Sequence, residues 1–272
     1  MTTCEKLPPW KASSMPNEPM WYFGYGSNMK ASSMADRKIT PLKTKAITVP
    51  THFVTFDIFG IPYSEPSYAS LEQFPDGGHG KLDLLHRRNR TQVPPACGVG
   101  HLLNPVDFHR LLVTEGSGVV YNLIEVQAYE LAPDGRPVLA PFPVYTLKAK
   151  WPQRPNGTPS ARYMNLFLQG ARDHSLPSAY IEYLEKLPRY QKVEGPERTA
   201  GQLVFDRAWR PFLKRLVRIT TWKVDEDGNC PFYVALVIVW LYQLMWKYHD
   251  LIHRHIFEEG DGGKLHYIRV RE

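Results

Sequence analysis

The sequence is short of the residues and patterns that would settle its chemistry at once. Its three cysteines, Cys4, Cys97 and Cys230, are odd in number, far apart and outside any C-x-x-C pair, which argues against a disulfide framework. The first twenty residues contain no continuous apolar core, so they do not read as a secretory signal. Both absences predict a reducing, cytoplasmic setting. There is no C2H2 finger spacing, no RNP-like aromatic strand and no long basic helix, so a net charge of +6 does not by itself predict a nucleic-acid partner. The one dense basic run, His86-Arg87-Arg88-Asn89-Arg90, reads as a solvated loop. G-x-S-x-G is missing, which counts against a serine hydrolase built on Ser27. His249, His253 and His255 raise a zinc site, but the stretch reads HDLIH and lacks the Glu of H-E-x-x-H, so no metal is expected. No internal repeat is evident.

What is present is a globular composition, with 43% hydrophobic and 12% aromatic residues in 272, and 24 prolines that favour strands and loops over long helices. Residues 1–19 are polar and proline-rich and predict a disordered lead-in. From Met20 the run MWYFGY predicts a buried strand, ended by Gly26, with Ser27 as N-cap of a short helix. Strands follow at HFVTFDIFG, ACGVGHLL, VVYNLIEVQAYEL and FPVYTLKA, the last two as a hairpin. Residues 104–115 predict a helix capped by Asn104 and opened by Pro105. Helical periodicity marks residues 161–175 and 178–188, interrupted by Gly170, Pro177 and Pro188.

Beyond about residue 200 the character changes. Residues 231–246, PFYVALVIVWLYQLMW, are almost continuously apolar. As a helix they would rise about 24 Å, short of the roughly 30 Å hydrocarbon core, so the stretch leaves open a borderline membrane span, a buried core helix, or a helix lying in a membrane interface or an oligomer contact.

Two places can carry chemistry. The Gly-Ser-Asn corner after MWYFGY would gather several backbone N–H groups in a small concavity, suited to a carboxylate or a developing oxyanion, although such a corner is more often an ordinary turn. Glu115 follows an apolar helix and precedes Gly116, and a carboxylate there is either poorly hydrated and fit for proton transfer or simply a surface Glu at a helix end.

Taken together, the strand ending Tyr25-Gly26-Ser27-Asn28, the Gly98-Val99-Gly100 strand with Asn104-Pro105 after it, Thr114-Glu115-Gly116 and YNLIEVQAY resemble the γ-glutamylcyclotransferases. GIPYSEPSYASL and SARYMNLFLQGARDHSLPSAYIEYL resemble the fungal branch of that family, which includes members encoded in gliotoxin-type epipolythiodioxopiperazine clusters. The resemblance covers about residues 20–195. It implies an α+β fold, a mixed β-barrel with flanking helices, followed here by an extension at 201–272 with an apolar helix near 231–246. It implies a cofactor-free reaction on a small-molecule γ-glutamyl substrate, whose α-amine attacks its own γ-amide and releases 5-oxoproline. Glu115 would be the catalytic proton carrier, the backbone around Tyr25, Gly26, Ser27 and Asn28 would hold the glutamyl head, and Tyr121, Tyr145 and Tyr163 would contact substrate. The fungal branch suggests a glutathione-bearing diketopiperazine as that substrate. The EGSGVVY loop is about a residue shorter than in the animal enzymes, so the pocket mouth would differ. The rival of another class is a non-catalytic, membrane-associated scaffold on the same fold.

Overall fold

The computed structural model describes residues 17–75, 83–86, 89–115, 119–153, 155–222 and 231–265. The lead-in up to residue 16, Arg87 and Arg88 of the basic run, Gly116 and Gly118, Cys4 and Cys230 lie outside the described residues; the rest of the basic run is not a loop, because His86 ends one strand and Asn89-Arg90 begin the strand that pairs with it.

In chain order the first half runs β1 (Met20–Gly24), α1 (Ala31–Asp36), β2 (Lys43–Val49), β3 (His52–Ile61), β4 (Glu65–Gln73), β5 (Asp83–His86), β6 (Asn89–Gln92), β7 (Ala96–Leu103) and α2 (Pro105–Thr114). The second half runs β8 (Tyr121–Leu131), β9 (Pro137–Ala149), β10 (Asn156–Gly157), α3 (Ala161–Asp173), α4 (Ser178–Lys186), α5 (Ala200–Trp222), α6 (Phe232–Tyr248) and β11 (Lys264–Leu265). Strands β1, β7, β2, β8 and β9 close a barrel in that order, so the fold is α+β with a mixed barrel. The pairs are antiparallel except β1 with β9, which meet in parallel at Tyr22 and Tyr145.

Alternation along the strands sorts side chains to two faces. Phe23, Tyr25, Ile47, Val99, Ile124, Val126 and Val144 belong to the main core, which extends to α3 and α4. Met20, Tyr22, Leu103 and Leu147 turn the other way and pack with Phe108 and Leu111 of α2. That helix begins as expected: Asn104 caps it, its side chain accepting from Asp107 N–H at 2.8 Å, with Pro105 in the first turn.

Three local expectations need correction. Ser27 is not a side-chain cap, because Ser27–Met29 is a 3₁₀ turn flanked by Gly26, and α1 starts only at Ala31. Gly170 does not interrupt α3, which runs through it. A Cβ there would stand 2.6 Å from the Cβ of Met29 and 3.0 Å from Lys30 N, so the glycine lets the helix lie against the 3₁₀ turn. The region past 200 also contains a 23-residue helix, α5, that tolerates Pro211 because the residue lies on its exposed side, where the unpaired carbonyl is open to water.

The extension is tied to the β3–β4 hairpin, a two-stranded sheet separate from the barrel. Tyr63, Phe205, Leu213, Met245 and Trp246 form one cluster, Trp246 donates Nε1–H to the Gly60 carbonyl at 3.0 Å, and β11 pairs with β10. Residues 232–248 are helical, with Ala235, Ile238, Met245 and Trp246 turned inward. Among the described residues no helix is long and apolar enough to cross a membrane, which removes the spanning option for 231–246.

Candidate active site

The corner and the carboxylate, 87 residues apart in sequence, meet. β1 delivers the chain to the 3₁₀ turn, α2 ends at Glu115, and Asn28 donates from Nδ2 to Glu115 Oε1 at 2.9 Å and to the Tyr22 hydroxyl at 3.1 Å. Arg37, just past α1, donates to Asn28 Oδ1 at 2.8 Å and forms an ion pair with Glu115 Oε1. The Glu115 side chain is 15% exposed, so this is a largely desolvated but charge-paired carboxylate. Oε1 is held by two donors, whereas Oε2 receives no hydrogen bond from a described residue.

Asn28 is thereby committed on every side-chain atom. Its carbonyl also accepts from His101 Nε2 at 3.0 Å. Burial, with a smaller push from His174, lowers the His101 pKa to about 4, so the ring is neutral near pH 7 and carries its proton on Nε2. The turn's first backbone bond runs from Met29 N–H to the Gly26 carbonyl at 3.0 Å, so the N–H groups of Ser27 and Asn28 are not used inside the turn.

Tyrosines surround the carboxylate. Burial first, and the Glu115 charge in addition, push the phenols of Tyr22, Tyr25, Tyr121 and Tyr163 above their ordinary range, so all four stay neutral. Tyr25 donates to the Leu147 carbonyl at 2.7 Å. Tyr121 donates to the Ala69 carbonyl at 3.2 Å while Tyr163 accepts from Ala69 N–H at 3.3 Å, so both hold β4 to the site. The Tyr163 oxygen lies 3.2 Å from where a Gly26 Cβ would stand, which is why the corner carries glycine there. Tyr145 lies opposite Tyr22 on β9 and packs edge-on against Phe108, 5.9 Å between ring centroids.

Sequence reasoning therefore placed Glu115, Tyr25, Gly26, Ser27, Asn28, Tyr121 and Tyr163 around one locus. It missed Tyr22, Arg37 and His101. Tyr22 looked like an ordinary strand aromatic. Arg37 carries no local signal, and nothing near it in the sequence shows that it turns back onto Asn28.

The tail histidines do not converge as a zinc set. His249 engages the Glu259 carbonyl at 2.5 Å and Asp250 at 2.8 Å, His253 engages the Gly201 carbonyl and the Tyr248 hydroxyl, each at 3.1 Å, and His255 is exposed. His249, Asp250 and Asp261 do come together, but the Lys264 ammonium stands 3.3 Å from Asp261 and 3.9 Å from Asp250 and supplies the positive charge.

His101 gives a pH dependence with a definite sign. A histidine whose folded pKa lies below its unfolded value binds more protons when unfolded, so its effect on stability is absent above about pH 6.5 and becomes destabilising as pH falls towards 4. Between pH 7 and 4.5 this amounts to about 2 kcal/mol. Denaturant midpoints across that range should fall more steeply for the wild type than for His101→Gln. Equal slopes would show that His101 does not titrate this way.

Comparison with known proteins gives matches in both parts of the chain. Residues 98–184 match the model of the AIG2-like family, and residues 196–256 match the AclK C-terminal domain. Gamma-glutamyl cyclotransferase verK of Clonostachys rogersoniana is 80% identical over 168 residues, 62% of this chain and 94% of its own length. Gamma-glutamyl cyclotransferase gliK of Aspergillus fumigatus is 44% identical over 253 residues, 93% of each chain. Gamma-glutamyl cyclotransferase aclK of Aspergillus oryzae is 32% identical, covering 89% of this chain and 90% of its own. Among solved structures, one titled gamma-glutamyl cyclotransferase aligns with a TM-score of 0.46 and 16% identity, over 70% of this chain and 99% of its own.

Proposed function

The chain belongs to the fungal γ-glutamyl cyclotransferase family, and from that premise we propose that the Glu115 site cleaves γ-glutamyl amides by intramolecular attack. The α-amine of the glutamyl group adds to its own γ-carbonyl carbon, the five-membered ring closes, the amide C–N bond breaks, and 5-oxoproline and a free amine leave. Ring closure makes the attack unimolecular, so proximity supplies much of the acceleration. What is left to the protein is proton traffic and charge.

Near neutral pH the α-amine is an ammonium and must lose a proton before it attacks. Glu115 takes that proton, through the oxygen that Asn28 and Arg37 leave open, and returns it to the departing nitrogen. The tetrahedral intermediate carries negative charge on the former amide oxygen. The N–H groups of Ser27 and Asn28 are the donors we assign to that charge or to the substrate carboxylate, and one donor lost from an oxyanion costs on the order of 3 kcal/mol. Neutral Tyr22, Tyr25, Tyr121 and Tyr163 enclose the glutamyl head without adding charge; we assign Tyr145, opposite Tyr22 on β9, to the same substrate wall.

The observation that carries this reading is the fixed carboxylate, held on one oxygen beside a turn with unused N–H groups. The substrate we assign is the γ-glutamyl group of a glutathione adduct on a diketopiperazine. We assign catalysis to residues 20–200, a support to the extension 201–272, and a cytoplasmic location. A non-catalytic scaffold is the poorer account, because relatives matching nearly the full chain carry the name of the enzyme.

The test is 5-oxoproline release from γ-glutamyl dipeptides and from a glutathione-conjugated diketopiperazine. Preference for the conjugate supports the assignment; release from dipeptides alone removes the substrate while keeping the reaction, and no release from folded protein rejects both. Arg37 is a positioning residue in this scheme. Arg37 makes both contacts from one nitrogen, Nη1, and the Lys side chain is shorter, so Arg37→Lys keeps the charge but draws it back from Asn28 and Glu115, and kcat should fall about tenfold with KM little changed. A rise in KM alone would instead make Arg37 a substrate anchor.

A further inference from the structure

The outer side of the extension is apolar where a protein surface should be polar. On α6, Phe232, Tyr233, Leu236, Val237, Trp240 and Leu244 recur at helical spacing and all are exposed, Tyr233 at 65% and Trp240 at 59%. The opposite side of the same helix is buried against the Tyr63–Phe205 cluster and against Leu216. A helix apolar all round needs cover on both sides, and no described segment covers this one. On α5, Leu203, Val204 and Phe212 are exposed as well.

Charge identifies the cover. α6 contains no Asp or Glu, and its exposed stripe ends at Lys247, while at the other end the Lys150 ammonium stands 5.9 Å from the Phe232 ring. α5 carries Arg207, Arg210 and Arg215, all exposed, against a single acidic residue, Asp206. A second copy seated on this face by two-fold symmetry would set cations against cations. A bilayer with anionic headgroups satisfies both features, because aromatic rings settle at the headgroup level and flanking Lys and Arg are drawn to the surface potential. The helix is not long and apolar enough to cross, so it would lie along the surface.

We propose that the outer face of α5 and α6 docks on an anionic lipid bilayer. The proposal is independent of the reaction at Glu115.

Vesicle flotation of the full chain tests it, using phosphatidylcholine alone or mixed with phosphatidylglycerol, at low and high salt. The wild type should float with the mixed vesicles, poorly with neutral ones, and less at high salt. Arg207→Gln, Arg215→Gln and Lys247→Gln should each weaken partitioning roughly fivefold. Val237→Ser combined with Trp240→Ser should reduce it to the level of neutral vesicles. Release of 5-oxoproline from a soluble γ-glutamyl dipeptide should be unchanged in all of these, which reports that they fold. Equal flotation with neutral vesicles, or no flotation of active wild type, would overturn the proposal. So would a dimer, seen by light scattering, that Trp240→Ser dissolves, since a second copy would then be the occupant.

Discussion

Glu115→Gln is expected to lower kcat for 5-oxoproline release by about 10²- to 10⁴-fold with KM nearly unchanged. Glutamine keeps the shape of the side chain and can still accept from Asn28 Nδ2, so the corner is preserved while the proton acceptor is gone. The substitution also leaves the Arg37 guanidinium, 23% exposed, without its counter-charge. A loss of activity therefore has to be told from a loss of fold, and the double variant Glu115→Gln with Arg37→Gln separates them. It removes both charges together, so its Tm should recover relative to the single variant while its activity stays lost. Activity that returns with Tm would make Glu115 a structural residue and move the proton transfer elsewhere.

The second large effect is expected at a glycine. Gly98→Ala should destabilise the protein by about 2–3 kcal/mol and reduce turnover with it. A Cβ at Gly98 would stand 2.3 Å from the Gly24 carbonyl oxygen, 2.7 Å from a Phe23 ring carbon and 3.1 Å from the Tyr25 Cα. Two of those neighbours are backbone, which cannot rotate away. β7 therefore has to move off β1, and β1 leads directly into the turn that carries Ser27 and Asn28. Thermal unfolding and 5-oxoproline release measured side by side would check this. An unchanged Tm would mean that the β1–β7 crossing yields, and the corner would then have more freedom than the contacts imply.

The parts of this protein with strong local signals were legible. The strand readings at 96–103 and 119–131 became β7 and β8, the second beginning two residues later, and Asn104-Pro105 placed the start of α2, because turn signals and capping are decided within a few residues. Gly170 was misread because a glycine within a helix has two meanings. It can weaken the helix, or permit a close approach such as the one to Met29, and only the neighbour distinguishes them. α5 escaped notice because Pro211 argues against a helix unless it faces water. The same limit explains Arg37, whose partners are 9 and 78 residues away.

Local sequence was enough to mark the strands β1, β3, β7, β8 and β9, the start of α2, and a carboxylate at its end, but not β2 of the barrel, β4 or α5. Tertiary structure alone decided that these meet: the barrel brings β1 beside β7, α2 returns over the outer face, and Asn28, Arg37 and Glu115 close on one oxygen. The reason is physical. Backbone geometry and capping act over a few residues and are written locally, whereas the environment of a charge is set by whatever the folded chain places within about 4 Å of it.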